Sequence, residues 1–163
     1  LFVCLGNICR SPIAEGVFKE LVAQHGLADK ISCDSAGTAG YHIGALPDRR
    51  MRMIADKNGI TLTDQARQFT SEDFANFDYI MAMDESNYED ISRVGLQNAK
   101  SSPSNQQLFL YRLFDPERGA ENIVPDPYYG ETKDFIEVYE IVERSGQSFL
   151  DFLIKKHDLT VDQ

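Results

Sequence analysis

Cys4 and Arg10 stand with five residues between them in the run Leu1-Phe-Val-Cys-Leu-Gly-Asn-Ile-Cys-Arg-Ser-Pro12. A thiol and a guanidinium at that spacing can share one anion. The planar fork of an arginine holds two oxygens of a phosphate while the sulfur attacks phosphorus. The spacing alone is a weak signal, because short patterns recur by chance. Of the 3 cysteines only Cys4 meets it; Glu15 and Ala39 stand at the matching offset from Cys9 and Cys33. The context is stronger. A short apolar, β-type run precedes Cys4. Ser11 is a good helix N-cap, and Pro12 suits the first helical position. Ile13, Val17 and Leu21 recur on one helical face, and Gly26 stands where a C-cap would. The pattern is strand, phosphate-sized loop, helix. Gly6 and Asn7 tolerate left-handed turns, which let the amides of Leu5, Gly6, Asn7, Ile8 and Cys9 converge into an anion nest. The helix N-terminus adds partial positive charge. Together with Arg10 these groups favour thiolate over thiol at Cys4. The Ser11 hydroxyl is placed to donate to the sulfur when it leaves.

Transfer of a phosphoryl group to Cys4 expels an alkoxide or phenoxide, which needs a proton from an acid on a positionable loop. Val124-Pro-Asp-Pro-Tyr-Tyr-Gly130 offers one. Pro125 and Pro127 restrict the backbone around Asp126. Burial beside Tyr128 and Tyr129 is expected to keep its carboxyl protonated. Once deprotonated, the same group can activate the water that hydrolyses a cysteinyl-phosphate.

These groups need a scaffold that brings the two ends of the chain together. After the first helix, Lys30–Thr38 reads as a strand ending in a turn, and Pro47 opens a helix that stops at Gly59. A short helix is expected from Ser71 to Ala75, a buried strand over Tyr79–Met83, and a helix beginning at Asp84. The polar segment 100–107 reads as a variable surface loop, and Gln107–Tyr111 as a fourth strand. The final helix is expected over Phe135–Lys156, with Ser145-Gly146 as a point where it could bend. Alternating strands and helices indicate an α/β domain with a parallel sheet. Ligands then sit beyond the carboxyl ends of the strands, where the Cys4 loop, the Ser35 turn, Asp84 and the Asp126 loop can meet.

With 163 residues, one domain over 1–163 is expected. The net charge of −10, from 16 basic and 26 acidic side chains, disfavours nucleic acid or an anionic membrane as a partner. No run approaches the length of a membrane span, and the apolar start lacks the basic flank of a secretory signal. Free cysteines fit a reducing, cytoplasmic compartment. His25, His42 and His157 are scattered and read as surface residues, so no metal site is expected. Arg49, Arg50 and Arg52 form either a rim for acidic phosphopeptides or a solvated helix face.

Taken together, the two loops resemble the low-molecular-weight protein tyrosine phosphatases. Cys4–Ala14 is similar to their phosphate loop, and Asp34-Ser-Ala36, Phe77–Ile80, Met83–Asn87 and Asp126–Tyr129 also match. The resemblance covers nearly the whole chain. It implies a three-layer domain with a four-stranded parallel sheet, strand order 2-1-3-4, and helices on both faces. It implies cysteinyl-phosphate catalysis without metal or cofactor, with Cys4 as nucleophile, Arg10 as phosphate clamp and Asp126 as general acid. Asn7, Ser35 and Asp84 would shape the loop from behind. Asp64 stands where many members carry a histidine in that network. Tyr41, Tyr128 and Tyr129 would wall a deep slot that suits a phenyl phosphate and leaves phosphoserine short of the thiolate. The partners implied are phosphotyrosine proteins or peptides, with inhibition by phosphate-like oxyanions and a monomer or weak dimer. Cys9 could form a disulfide with Cys4 under oxidation. Protein arginine phosphatases share the cradle but tend to carry Thr in place of Ile8 and to lack the paired tyrosines. Thiol-coupled arsenate reductases need further cysteines after the third strand, where this chain has Met81, Met83 and Asp84. A non-catalytic phosphate- or phosphopeptide-binding module is the remaining alternative; nothing in it requires Cys4 and Asp126 together.

Overall fold

In a computed structural model, residues 1–98 and 106–161 are described. Four strands, β1 (Phe2–Cys4), β2 (Ser35–Gly37), β3 (Ile80–Ala82) and β4 (Leu108–Leu110), form one sheet in the order β2-β1-β3-β4. Every pairing is parallel, with Val3 opposite Ala36 and Ala82, and Met81 opposite Phe109. The expected four-stranded α/β architecture with order 2-1-3-4 is therefore the one observed. Five helices accompany the described strands: α1 (Arg10–Gln24), α2 (Arg49–Lys57), α3 (Asp73–Asn76), α4 (Glu85–Gln97) and α5 (Thr132–Lys156).

Strand side chains alternate between faces, and the core divides accordingly. Phe2, Cys4, Met81 and Met83 join the larger apolar cluster with α1, α2 and α5, while Leu1, Val3, Ile80 and Ala82 join the smaller one with Phe74 and Ile91. Phe2 packs edge-on against Phe18 and Tyr111, and Phe18 stacks on Phe149 of α5. Such pairs add stabilisation of about 0.5–1.5 kcal/mol each beyond area burial. Gly146 is where α5 crosses α1: a Cβ there would stand 3.1 Å from Leu21 and from the Tyr111 hydroxyl. Thus the Ser145-Gly146 pair serves close helix packing, and α5 runs unbroken through it.

Several boundaries differ from the sequence expectation. α1 starts at Arg10 with Cys9 as the residue before it, so Ser11 lies inside the helix and is not its cap. The second strand is confined to Ser35–Gly37, the residues that pair with β1. Asp48, rather than Pro47, caps α2 by accepting the Arg50 N–H at 2.8 Å. α3 spans Asp73–Asn76, shifted from the expected 71–75. α5 begins at Thr132 because Glu131 and Asp134 form a reciprocal capping box. Asp84 caps α4 as its residue type suggests, accepting the Asn87 N–H at 2.7 Å. Most of the polar segment 100–107 lies outside the described residues. Among the described residues no helix is long and apolar enough to cross a membrane.

Candidate active site

Cys4 ends β1, and the next five residues turn back into α1. Backbone bonds from neighbouring loops take up the carbonyls of this turn. Thr38 N–H donates to Cys4 O and Ala39 N–H to Leu5 O, both at 2.9 Å, and Asp48 N–H donates to Ile8 O at 2.7 Å. In a trans peptide the N–H points opposite to its C=O, and no peptide bond among the described residues is cis. The amides of Leu5, Gly6 and Cys9 are therefore turned away from those outer loops. Asn7 adopts the left-handed conformation with φ of 56°, and its N–H reaches the Cys4 sulfur at 3.3 Å. Gly37 makes the close approach possible: a Cβ there would lie 2.7 Å from Leu5 O and 3.1 Å from Asn7 N.

The Asn7 side chain fixes proton directions around the sulfur. Its Nδ2 donates to Ser11 Oγ at 2.8 Å and to Ser35 Oγ at 2.9 Å, and its Oδ1 accepts the Arg67 N–H at 3.0 Å. Each serine oxygen accepts from the amide and keeps its own proton for another partner. Ser11 Oγ lies 3.0 Å from Cys4 Sγ, and Ser35 donates to Glu15 Oε1 at 2.6 Å. Ser11, displaced from its expected capping role, is thus free to donate to the sulfur, the nearer of its two acceptors; the other, Ala36 O, lies at 3.5 Å. Glu15 is buried and pairs with Lys19, whose ammonium also bonds Asp64 at 3.2 Å. Burial pushes the Glu15 carboxyl up, while Lys19 and the Ser35 hydroxyl oppose that. Asp64 stands at the outer end of this network, against the Glu15 carboxyl and bonded by Lys19, and both contacts hold its own carboxyl below the usual range.

Arg10 is 3 % exposed. Its Nη1 donates to Asp84 Oδ2 at 2.7 Å and to Val124 O at 3.2 Å, and its Nη2 lies 3.6 Å from Asp126 Oδ2. Burial works against its charge, but Cys4, Asp84 and Asp126 outweigh burial and hold its proton more firmly than usual. Val124 N–H in turn bonds Met83 O at 2.8 Å, which registers the Asp126 loop against the end of β3. The acid and the thiol, 122 positions apart in sequence (126 − 4), thereby face one space.

That space is a cavity of about 350 Å³ lined by Cys4, Leu5, Gly6, Ile8, Cys9, Arg10, Tyr41, His42, Asp126, Tyr128 and Tyr129. Asp126 sits at its mouth with a side chain 47 % exposed, accepting the Tyr128 N–H at 3.2 Å. The expected burial of this carboxyl is absent, since Tyr129 is itself almost fully exposed and does not cover it. The expected deep slot is also open: Tyr41 is 77 % and Tyr129 96 % exposed, so the rings form a rim. Asn7, Ser35 and Asp84 do not line the cavity; Asn7 bonds Ser11 and Ser35, and Asp84 bonds Arg10. Glu15, Lys19 and Arg67 were not singled out from the sequence, and His42, expected as a surface residue, lines the cavity. A helical Glu-x-x-x-Lys spacing could have drawn attention to the first two; the others have no local signal.

A family model described as "Low molecular weight phosphotyrosine protein phosphatase" matches residues 1–159. The human protein of that name is 44% identical over 151 residues, covering 93% of this chain and 92% of its own. A protein tyrosine phosphatase from Entamoeba histolytica superposes with a TM-score of 0.84 at 40% identity, covering 97% of each chain. A drosophila arginine phosphatase superposes at 0.85 with 29% identity, covering 99% of this chain and 98% of its own.

Proposed function

Because the chain belongs to the low molecular weight phosphotyrosine protein phosphatase family, we propose that Cys4, Arg10 and Asp126 divide the hydrolysis of a phosphotyrosine ester between them. One arrangement carries this reading. The Cys4 sulfur receives the Asn7 N–H and lies beside the Ser11 hydroxyl, in the same cavity as Arg10 and Asp126. The substrate dianion seats in the loop, its oxygens on the amides and on Arg10. Asp126, at the mouth of the cavity, stands as the acid for the leaving oxygen. The Cys4 thiolate attacks phosphorus, and the P–O bond to the phenol breaks. The bonding pair goes to the phenolic oxygen, which takes the Asp126 proton. Water, deprotonated by the Asp126 carboxylate, attacks the cysteinyl-phosphate. The P–S bond breaks with its pair returning to sulfur, where the Ser11 hydroxyl stabilises it. Phosphate leaves.

The tyrosine rim and Ile8 favour phosphotyrosine proteins or peptides as substrates, with vanadate and phosphate as competitive oxyanions. The structural likeness to an arginine phosphatase keeps phosphoarginine as the second reading. The proposal extends to one catalytic unit over residues 1–163, working as a monomer or weak dimer in the cytoplasm, where a free thiol survives. Turnover of matched phosphotyrosine, phosphoserine and phosphoarginine peptides tests it. Phosphotyrosine should be preferred, and Cys4→Ser should bind vanadate without turnover. Preferred cleavage of phosphoarginine, or an active Cys4→Ser, would overturn the reading.

A further inference from the structure

Arg50 is exposed enough to pass for a solvated residue, and it does not line the catalytic cavity. Yet its Nε, its Nη2 and the plane of its guanidinium all have partners. Nε and Nη2 meet the two Asp48 carboxylate oxygens at 3.1 and 3.0 Å. Nη2 also donates to Tyr128 O at 3.0 Å. The group lies over the Phe135 ring at 4.5 Å and the Tyr128 ring at 5.6 Å. Both ends of this contact lead into the catalytic machinery. Asp48 donates its N–H to Ile8 O of the phosphate loop, and Tyr128 donates its N–H to Asp126 Oδ1. A continuous path thus runs from the phosphate loop through Asp48, Arg50 and Tyr128 to the acid. The loop around Asp126 needs such a brace, because Asp126 is half exposed and Pro125 and Pro127 contribute no N–H.

We propose that Arg50 is a positioning residue that sets the Asp126 carboxyl over the leaving-group side of the phosphate loop. Arg50 touches no reacting atom; it fixes the carbonyl on one side of Tyr128, and the N–H on the other side of the same residue holds the carboxyl. The inference rests on Asp126 being the general acid. Its signature is dependence on the leaving group. A phenol that departs poorly needs the proton, while a nitrated phenol departs without it.

The experiment compares kcat/KM for phenyl phosphate and 2,4-dinitrophenyl phosphate in the wild type, Arg50→Ala, Arg50→Lys and Asp126→Asn, with urea unfolding of each. Arg50→Ala should lose about tenfold on phenyl phosphate and less than about twofold on the dinitrophenyl ester. Arg50→Lys keeps a cation over Phe135 but cannot span Asp48 and Tyr128 with one fork. It should fall between the wild type and Arg50→Ala on phenyl phosphate, even if the alanine variant is poorly folded. Equal losses on both esters, or none, in a folded variant would overturn the inference. If Asp126→Asn is leaving-group dependent while the Arg50 variants are flat, the positioning role alone fails. If Asp126→Asn is itself flat, the acid assignment beneath it fails.

Discussion

Replacing Asn7 by aspartate would keep the side chain's size and reverse the polarity of two hydrogen bonds. The native amide donates to Ser11 and Ser35, which leaves the Ser11 proton free for Cys4 Sγ at 3.0 Å. A carboxylate at position 7 can only accept, so both hydroxyls turn inward and the sulfur loses a donor. Hydrogen bonds to a charged partner contribute about 1.5–3 kcal/mol. At about 1.4 kcal/mol per tenfold in rate, kcat/KM should fall about 10- to 150-fold. Ser11→Ala removes the same donor directly and should cost a comparable factor. If both act through one proton, the double variant loses far less than the product of the two. A coupling of at least about 1 kcal/mol is expected from such a cycle. Alkylation of Cys4 by iodoacetamide at fixed pH provides a second assay and should slow in both single variants. Wild-type activity in Asn7→Asp, or full additivity with Ser11→Ala, would refute the reasoning.

Two further outcomes are expected away from this arm. Asp115 is buried and takes a fork from Arg144 at 2.8 and 3.0 Å; against the cost of burial, Arg144 and the Glu117 N–H hold its carboxyl below the usual 3.8. Its contribution is present above that value and lost as pH falls through the lowered one, so urea midpoints should drop below about pH 4. Arg144→Ala should cost about 3 kcal/mol at pH 7 by leaving a buried carboxylate short of a partner, and should flatten that acid dependence; an unchanged midpoint at pH 7 would contradict it. Peroxide should convert the Cys4 thiolate to a sulfenic acid, which the Cys9 thiol then attacks with loss of water to give a disulfide. Burial, together with Asp48, pushes the Cys9 thiol up, so closure should quicken with pH; mass spectrometry finding Cys4 as sulfonic acid with Cys9 free would remove this proposal.

Strong local patterns were the legible ones. The apolar runs ending at Cys4 and Met83 gave strands, and the five-residue interval from Cys4 to Arg10 gave the loop. The proline-bracketed Asp126 gave the second half of the site. Start signals were less secure: Ser11 has the chemistry of a cap, but the loop's own turn at Cys9 begins the helix, and the hydroxyl is drawn to sulfur. Extent also escaped the eye in β2, where pairing with β1 and not β-type composition sets the strand. Long-range polar partners were invisible because nothing local marks them. Arg67 reaches Asn7 across 60 positions, and Arg50 reaches Tyr128 across 78. Exposure of Tyr41 and Tyr129 was likewise unreadable, since an aromatic residue on a loop has no periodicity to say which way it faces.

The anchoring of Val124 has a wider consequence. Its N–H is moored to Met83 and its carbonyl to Arg10, while Asp115 is tied to Arg144 at the start of the same connection. The stretch between them hangs from two fixed posts. Glu117 N–H is tied to Asp115 and Ile123 O to Arg112, so insertions, deletions or drift in residues 118–122 should leave the Asp126 carboxyl in place, which makes that stretch the natural place for relatives to differ in length and for a tag or reporter to be spliced in.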